Sequence, residues 1–127
     1  MKAILTVLMA GVLSLAFTQT GTVKNISVKE MKVAVDKGGD IQIVDVRTPA
    51  EWKEGIVSGA HKINYYDTDF ATKVKQLDMD KPVYVYCKMG GRSSKAAQQM
   101  KSLGFKVIYN VDGGIMAWED AGYPTVK

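Results

Sequence analysis

Apolar, β-branched runs alternating with capped amphipathic segments predict a small α/β domain with a mainly parallel central sheet and helices on both faces. Two runs carry most of that prediction. Ile41, Ile43, Val44 and Val46 crowd one short stretch, and Val83, Tyr84, Val85 and Tyr86 form another. Such near-continuous apolarity suits strands covered on both sides rather than strands half in water. The third observation is length: 127 residues at 46% hydrophobic content build one core and leave no room for a second.

The elements follow in chain order. Lys2 precedes an uncharged run over residues 3–17, shorter than the ~20 residues of a comfortable bilayer span but suited to a signal-peptide core. Ser14 and Ala16 place small residues where a signal peptidase reads, so residues 1–16, with an outer limit near residue 20, are expected to be a signal for export to the periplasm. An uncleaved anchor is the alternative, and this segment is the only membrane contact expected. Residues 17–25 read as a flexible lead-in, and the domain proper as 26–127. Ser27 and Glu30 have capping-box spacing and open a helix over 28–37, with Met31 and Val35 inward, that stops at Gly38 and Gly39. A strand covers 41–46. Thr48, Pro49 and Glu51 form a second capping box, whose helix is short because Gly55 and Gly59 follow. A brief strand is expected over 63–65, and a helix over 70–77 capped by Asp69 and closed at Lys81 and Pro82. The strand over 83–86 ends at Cys87. A helix over 93–103 carries Ala96, Ala97, Met100 and Leu103 on one face and ends at Gly104. A strand over 107–109 and a helix over 115–121 complete the domain.

Seventeen Lys and Arg against thirteen Asp and Glu give a formal net charge of +4. The excess is spread along the chain with no arginine-rich run and no basic stripe interleaved with aromatics, which argues against nucleic acid and is compatible with a small anionic substrate. One cysteine cannot make an internal disulfide, and one cysteine with one histidine, His61, falls short of a structural zinc site. No metal and no cofactor are expected. Cys87 is therefore either a packed thiol or a reactive one.

The segment Cys87, Lys88, Met89, Gly90, Gly91, Arg92 and Ser93 lies between a buried strand and a helix, where open α/β sheets bind ligands. Amides and the positive end of the helix dipole favour thiolate over thiol there. Gly90 and Gly91 allow successive N–H groups to converge on an anion, and Lys88, Arg92 and Lys95 add positive charge. The plainer alternative is a thiol packed at a strand end before a Gly-Gly turn. A cysteine phosphatase also sets a thiolate in an anion nest, but its loop needs one residue more between Cys and Arg to wrap a phosphate. Here Lys88, Met89, Gly90 and Gly91 alone separate Cys87 from Arg92, and the tighter cradle suits a sulfane sulfur.

These residues resemble the active-site loop of rhodanese-like sulfurtransferases, and the resemblance extends over residues 26–127. Asp45, Val46 and Arg47 with Glu51 resemble the family's Asp-x-Arg…Glu segment. Gly113, Gly114, Trp118, Gly122 and Pro124 resemble its closing Gly-Gly…Trp…Gly-x-Pro segment. Where the family commonly reads Gly-His-Ile-Pro-Gly-Ala, this chain has Gly55, Ile56, Val57, Ser58, Gly59 and Ala60, without the His and Pro. The resemblance implies a rhodanese fold and a catalytic Cys87 that takes sulfur from a small anionic donor such as thiosulfate, becomes a persulfide, and passes the sulfur to a thiophilic acceptor (cyanide, a thiol, or a protein). It also implies that Lys88, Met89, Gly90, Gly91, Arg92 and Ser93 bind substrate, their amides holding the persulfide. A non-catalytic sulfur carrier or redox-sensing module on the same scaffold is the alternative. Arg92 has two candidate tasks, contacting the donor's anionic end or bonding loop carbonyls. Asp45 and Arg47 are expected to brace loops on the active-site side, His61 to lie on the surface, Trp52 and Trp118 to pack, and Tyr65 and Tyr66 to stand at the pocket entrance.

Overall fold

The computed structural model describes residues 21–127, so the expected signal peptide lies outside the described residues. In chain order the elements are β1 (Thr22–Ile26), α1 (Val28–Lys37), β2 (Gln42–Asp45), α2 (Pro49–Trp52), β3 (His61–Lys62), α3 (Phe70–Val74), β4 (Val83–Tyr86), α4 (Gly91–Leu103), β5 (Val107–Val111) and α5 (Gly114–Asp120). They form a five-stranded sheet in the order β1-β5-β4-β2-β3, and every ladder in it is parallel. The most apolar strands, β2 and β4, sit beside each other inside the sheet, as their double-sided burial requires.

Strand alternation divides the core. Val44, Val46, Val83 and Val85 face one side with Phe70 and Val74 of α3 and Ala96, Ala97 and Met100 of α4. Ile43 and Tyr86 face the other, with Met31 of α1 and Ile115 and Trp118 of α5. The period of two that points Val83 and Val85 at α4 carries Cys87 to the same side.

Several boundaries differ from the sequence reading. The lead-in contains a strand: Thr22–Ile26 pairs in register with Val107–Val111, and only Ile26 is buried in it. An edge strand supported by backbone bonding, with polar side chains in solvent, leaves almost no hydrophobic signal. Pairing of the third strand begins at His61, before the expected 63–65, although Ile63 and Tyr65 continue it by donating to Asp45 O and Val46 O, each at 3.0 Å. Asp69 makes no cap bond, because its backbone (φ −97°, ψ 16°) lacks the extended geometry a cap needs; its carboxylate instead lies 3.4 Å from Lys73, and α3 ends at Val74. Finally, α4 starts at Gly91 and β5 runs on to Val111.

The capping boxes also differ from each other. Around Thr48 and Glu51 both halves form, whereas Ser27 accepts from the Glu30 amide without a reciprocal carboxylate bond. The segment 55–60 lacks the family's His and Pro, and its rigidity comes from elsewhere. Tyr86 Oη accepts the Val57 N–H at 3.0 Å, and Ile56 and Val126 exchange backbone bonds of 2.8 Å. Tyr86→Phe should leave the buried Val57 N–H unsatisfied and cost about 1–3 kcal/mol, to be read from urea unfolding midpoints.

Candidate active site

Cys87 follows the last residue of β4, at the carboxyl end of an interior strand, and its residue is 1% exposed. Burial alone would push its thiol pKa up. The net direction is nonetheless down, because the sulfur receives hydrogen bonds from the Ser93 hydroxyl and from the amides of Ser93, Gly90 and Met89. The Gly90 N–H lies 3.0 Å from Sγ and the Ser93 Oγ 3.4 Å. Ser93 Oγ also lies 3.1 Å from Gly90 O, so its one proton has two acceptors. A charge-assisted bond outweighs a neutral one, which directs that proton to the sulfur when Cys87 is ionised.

The turn into α4 depends on Gly90, whose φ of +121° suits glycine alone. The opposite wall is the start of α5. Ile115 N–H donates to Cys87 O at 2.9 Å and Met116 N–H to Lys88 O at 3.1 Å. The approach requires Gly114, where a Cβ would stand 2.4 Å from Cys87 O and 2.5 Å from Lys88 O. Gly114 thus lets α5 brace the active loop, a role that its sequence motif did not disclose.

Of the two tasks considered for Arg92, bonding loop carbonyls is not the one its terminal nitrogens perform. Its guanidinium forks across Glu51, with Nη1 2.7 Å from Oε1 and Nη2 2.8 Å from Oε2, and it lies 5.9 Å from the ring centre of Tyr66. That fork is the main cause holding the Glu51 carboxyl down at about 2; burial opposes it, and bonds from the Thr48 hydroxyl and amide reinforce it. Glu51 appears in the sequence only as part of a cap and a motif, so its partnership with the loop is new information from the fold. Lys88 and Met89 project outward; Met89 is 68% exposed, an apolar lip beside the loop. Gly91 is the first residue of α4.

Asp45 and Arg47 form a buried pair. Arg47 Nε lies 3.0 Å from Oδ1 and Nη2 2.8 Å from Oδ2, and Nη2 also donates to Gly55 O at 2.7 Å. They tie the end of β2 to the turn at Gly55 and make no bond to the Cys87 loop. His61 is exposed on β3, Tyr65 packs edge-on against Phe70, and Tyr66 is exposed beside Arg92. Trp118 is buried and donates to Pro124 O, whereas Trp52 is half-buried. A cavity of about 470 Å³ lies between β3 and α3, lined by none of the loop residues; one of about 170 Å³ adjoins the loop, lined by Lys88, Glu51, Glu54, Glu119, Ile115 and Met116 among others.

Residues 27–121 match the family model described as the rhodanese-like domain. The chain belongs to the rhodanese-like family. The chain is 36% identical over 98 residues to the thiosulfate sulfurtransferase GlpE of Shewanella oneidensis, an alignment covering 77% of the chain and 94% of that relative. It is 31% identical over 108 residues to the probable adenylyltransferase/sulfurtransferase MoeZ of Mycobacterium tuberculosis, covering 85% of the chain but 28% of that longer protein. The crystal structure of a rhodanese-like domain protein from Staphylococcus aureus superposes with a TM-score of 0.71 at 29% identity, over 82% of this chain and 99% of that one. At family level the assignment is sulfurtransferase.

Two measurements check this geometry. Alkylation of Cys87 should reach its plateau at lower pH than a free thiol, since a lowered pKa puts the thiolate in place sooner, and Ser93→Ala should move the profile to higher pH. Glu51 gains stability from ionisation in the folded state that is full above its ordinary 4.5 and fades as pH falls toward about 2. The stability gap between wild type and Glu51→Gln, followed by denaturant melts, should narrow across that window.

Proposed function

We propose that this rhodanese moves sulfane sulfur from an anionic donor such as thiosulfate to a thiophilic acceptor through a persulfide on Cys87. The observation that carries this reading is the sulfur itself, buried at the end of β4 yet bonded by the Gly90 amide at 3.0 Å and held toward the thiolate. The thiolate attacks the outer sulfur of thiosulfate; the donor's S–S bond breaks, and sulfite leaves with the electron pair. The negative charge then rests on the outer sulfur of the persulfide, where preorganised amides of the loop stabilise it. Cyanide attacks that sulfur to give thiocyanate, or a thiolate attacks it to give a new persulfide, and the Cys87 thiolate returns. No general base is needed once the thiol is ionised.

The relative named a thiosulfate sulfurtransferase supports this reading, as 94% of its length is aligned with this chain. A phosphate ester is a poorer fit, because Arg92 is committed to Glu51 rather than to the cradle around Sγ. The N-terminal run alone supports a periplasmic place of action. Incubation with thiosulfate followed by intact mass measurement should give a one-sulfur adduct on the wild type and none on Cys87→Ser. Absence of the adduct from the wild type, or its persistence on the variant, defeats the proposal.

A further inference from the structure

The charges around Cys87 are matched unevenly. Of the two cations in the loop, Arg92 has both terminal nitrogens on the Glu51 carboxylate, and Lys88 is solvent-exposed with no ion pair among the described residues. The Glu51 side chain is in turn held from behind by the Thr48 hydroxyl at 3.0 Å, so α2 fixes the carboxylate and the carboxylate fixes the guanidinium. The cavity beside the loop adds two further carboxylates, Glu54 and Glu119, while Arg47 on its wall is spent on Asp45. The amide cradle itself is built for one negative charge at the sulfur. A donor bringing a second negative charge meets a neutralised arginine and nearby carboxylates, with Lys88 on the cavity wall as the cation left to receive it.

We propose that Glu51 is a specificity-determining residue for the sulfur donor: by neutralising Arg92 it discriminates against dianionic donors and favours monoanionic ones, such as organic persulfides and thiosulfonates. This rests on the persulfide reading above. Glu51 acts through Arg92 and is a positioning residue, not a catalytic one. The chemistry is the same for both donor classes: with benzenethiosulfonate the thiolate takes the outer sulfur, the S–S bond breaks, and benzenesulfinate leaves with the electron pair.

The test compares kcat/KM for thiosulfate, a dianion, with that for benzenethiosulfonate, a monoanion, at saturating cyanide. Glu51→Gln is the informative variant, since glutamine still completes a capping box. It should raise the thiosulfate-to-thiosulfonate ratio by roughly fivefold, the scale of one partly exposed charge contact, and move the Cys87 alkylation profile to lower pH. High salt should shrink the difference. Arg92→Lys keeps the charge but cannot fork across both oxygens, and should raise the ratio in the same direction even if Glu51→Gln fails to fold. An unchanged ratio, with both donors losing rate equally, makes Glu51 a loop brace only and overturns the proposal. Failure of the wild type to form a persulfide with either donor defeats the sulfurtransfer reading instead.

Discussion

The active loop depends on two backbone bonds from the first turn of α5. Ile115 and Met116 claim the carbonyls of Cys87 and Lys88. In a planar trans peptide the N–H points opposite to its C=O. Turning the Lys88 carbonyl toward α5 therefore turns the Met89 N–H away from it, to the side where it bonds the Cys87 sulfur. The cradle is thus set by carbonyls that face away from it. Gly114 is the condition for this, since any side chain would occupy the space of those carbonyl oxygens.

Around this loop the fold relies on buried polar ties rather than on further hydrophobic area. Asp45 and Arg47, both fully enclosed, satisfy each other and the Gly55 carbonyl, so neither charge is left uncompensated. Tyr86 sends its ring into the core and its hydroxyl to the Val57 amide. The helix cap at Thr48 continues through Glu51 to Arg92, so a local device for starting a four-residue helix also reaches the loop after β4. The Tyr86–Val57 and Arg92–Glu51 ties join segments far apart in sequence, and they link the ends of β2 and β4 to the turns that follow β2.

Most of this fold was legible because hydrophobic pattern and turn chemistry agree: the Val83–Tyr86 run, the Thr48 cap and the Gly104 stop all stand where expected. The misses share a cause, which is that their stability comes from partners distant in the chain. Thr22–Ile26 is a strand because β5 offers it a backbone edge, not because its own side chains demand burial. Asp69 has a capping side chain but not the backbone for it. At the site, Cys87 and the glycines were readable from spacing, while the Arg92–Glu51 fork joins residues 41 positions apart and has no local signature. The same holds for Gly114, whose motif is visible in sequence but whose approach to Cys87 is a property of the fold.

The seclusion of Cys87 also bears on how the molecule meets oxidants. The chain contains one cysteine, so a sulfenic acid formed there has no second thiol in the same chain with which to condense. Reversal must come from a thiol brought by another molecule, and until it arrives the next oxidation step, to sulfinic acid, is irreversible by ordinary thiols. A side chain that is 1% exposed slows the damage and its repair together. Protection of the site over time is therefore kinetic, set by who can reach the sulfur, and not by any redox partner the protein carries within itself.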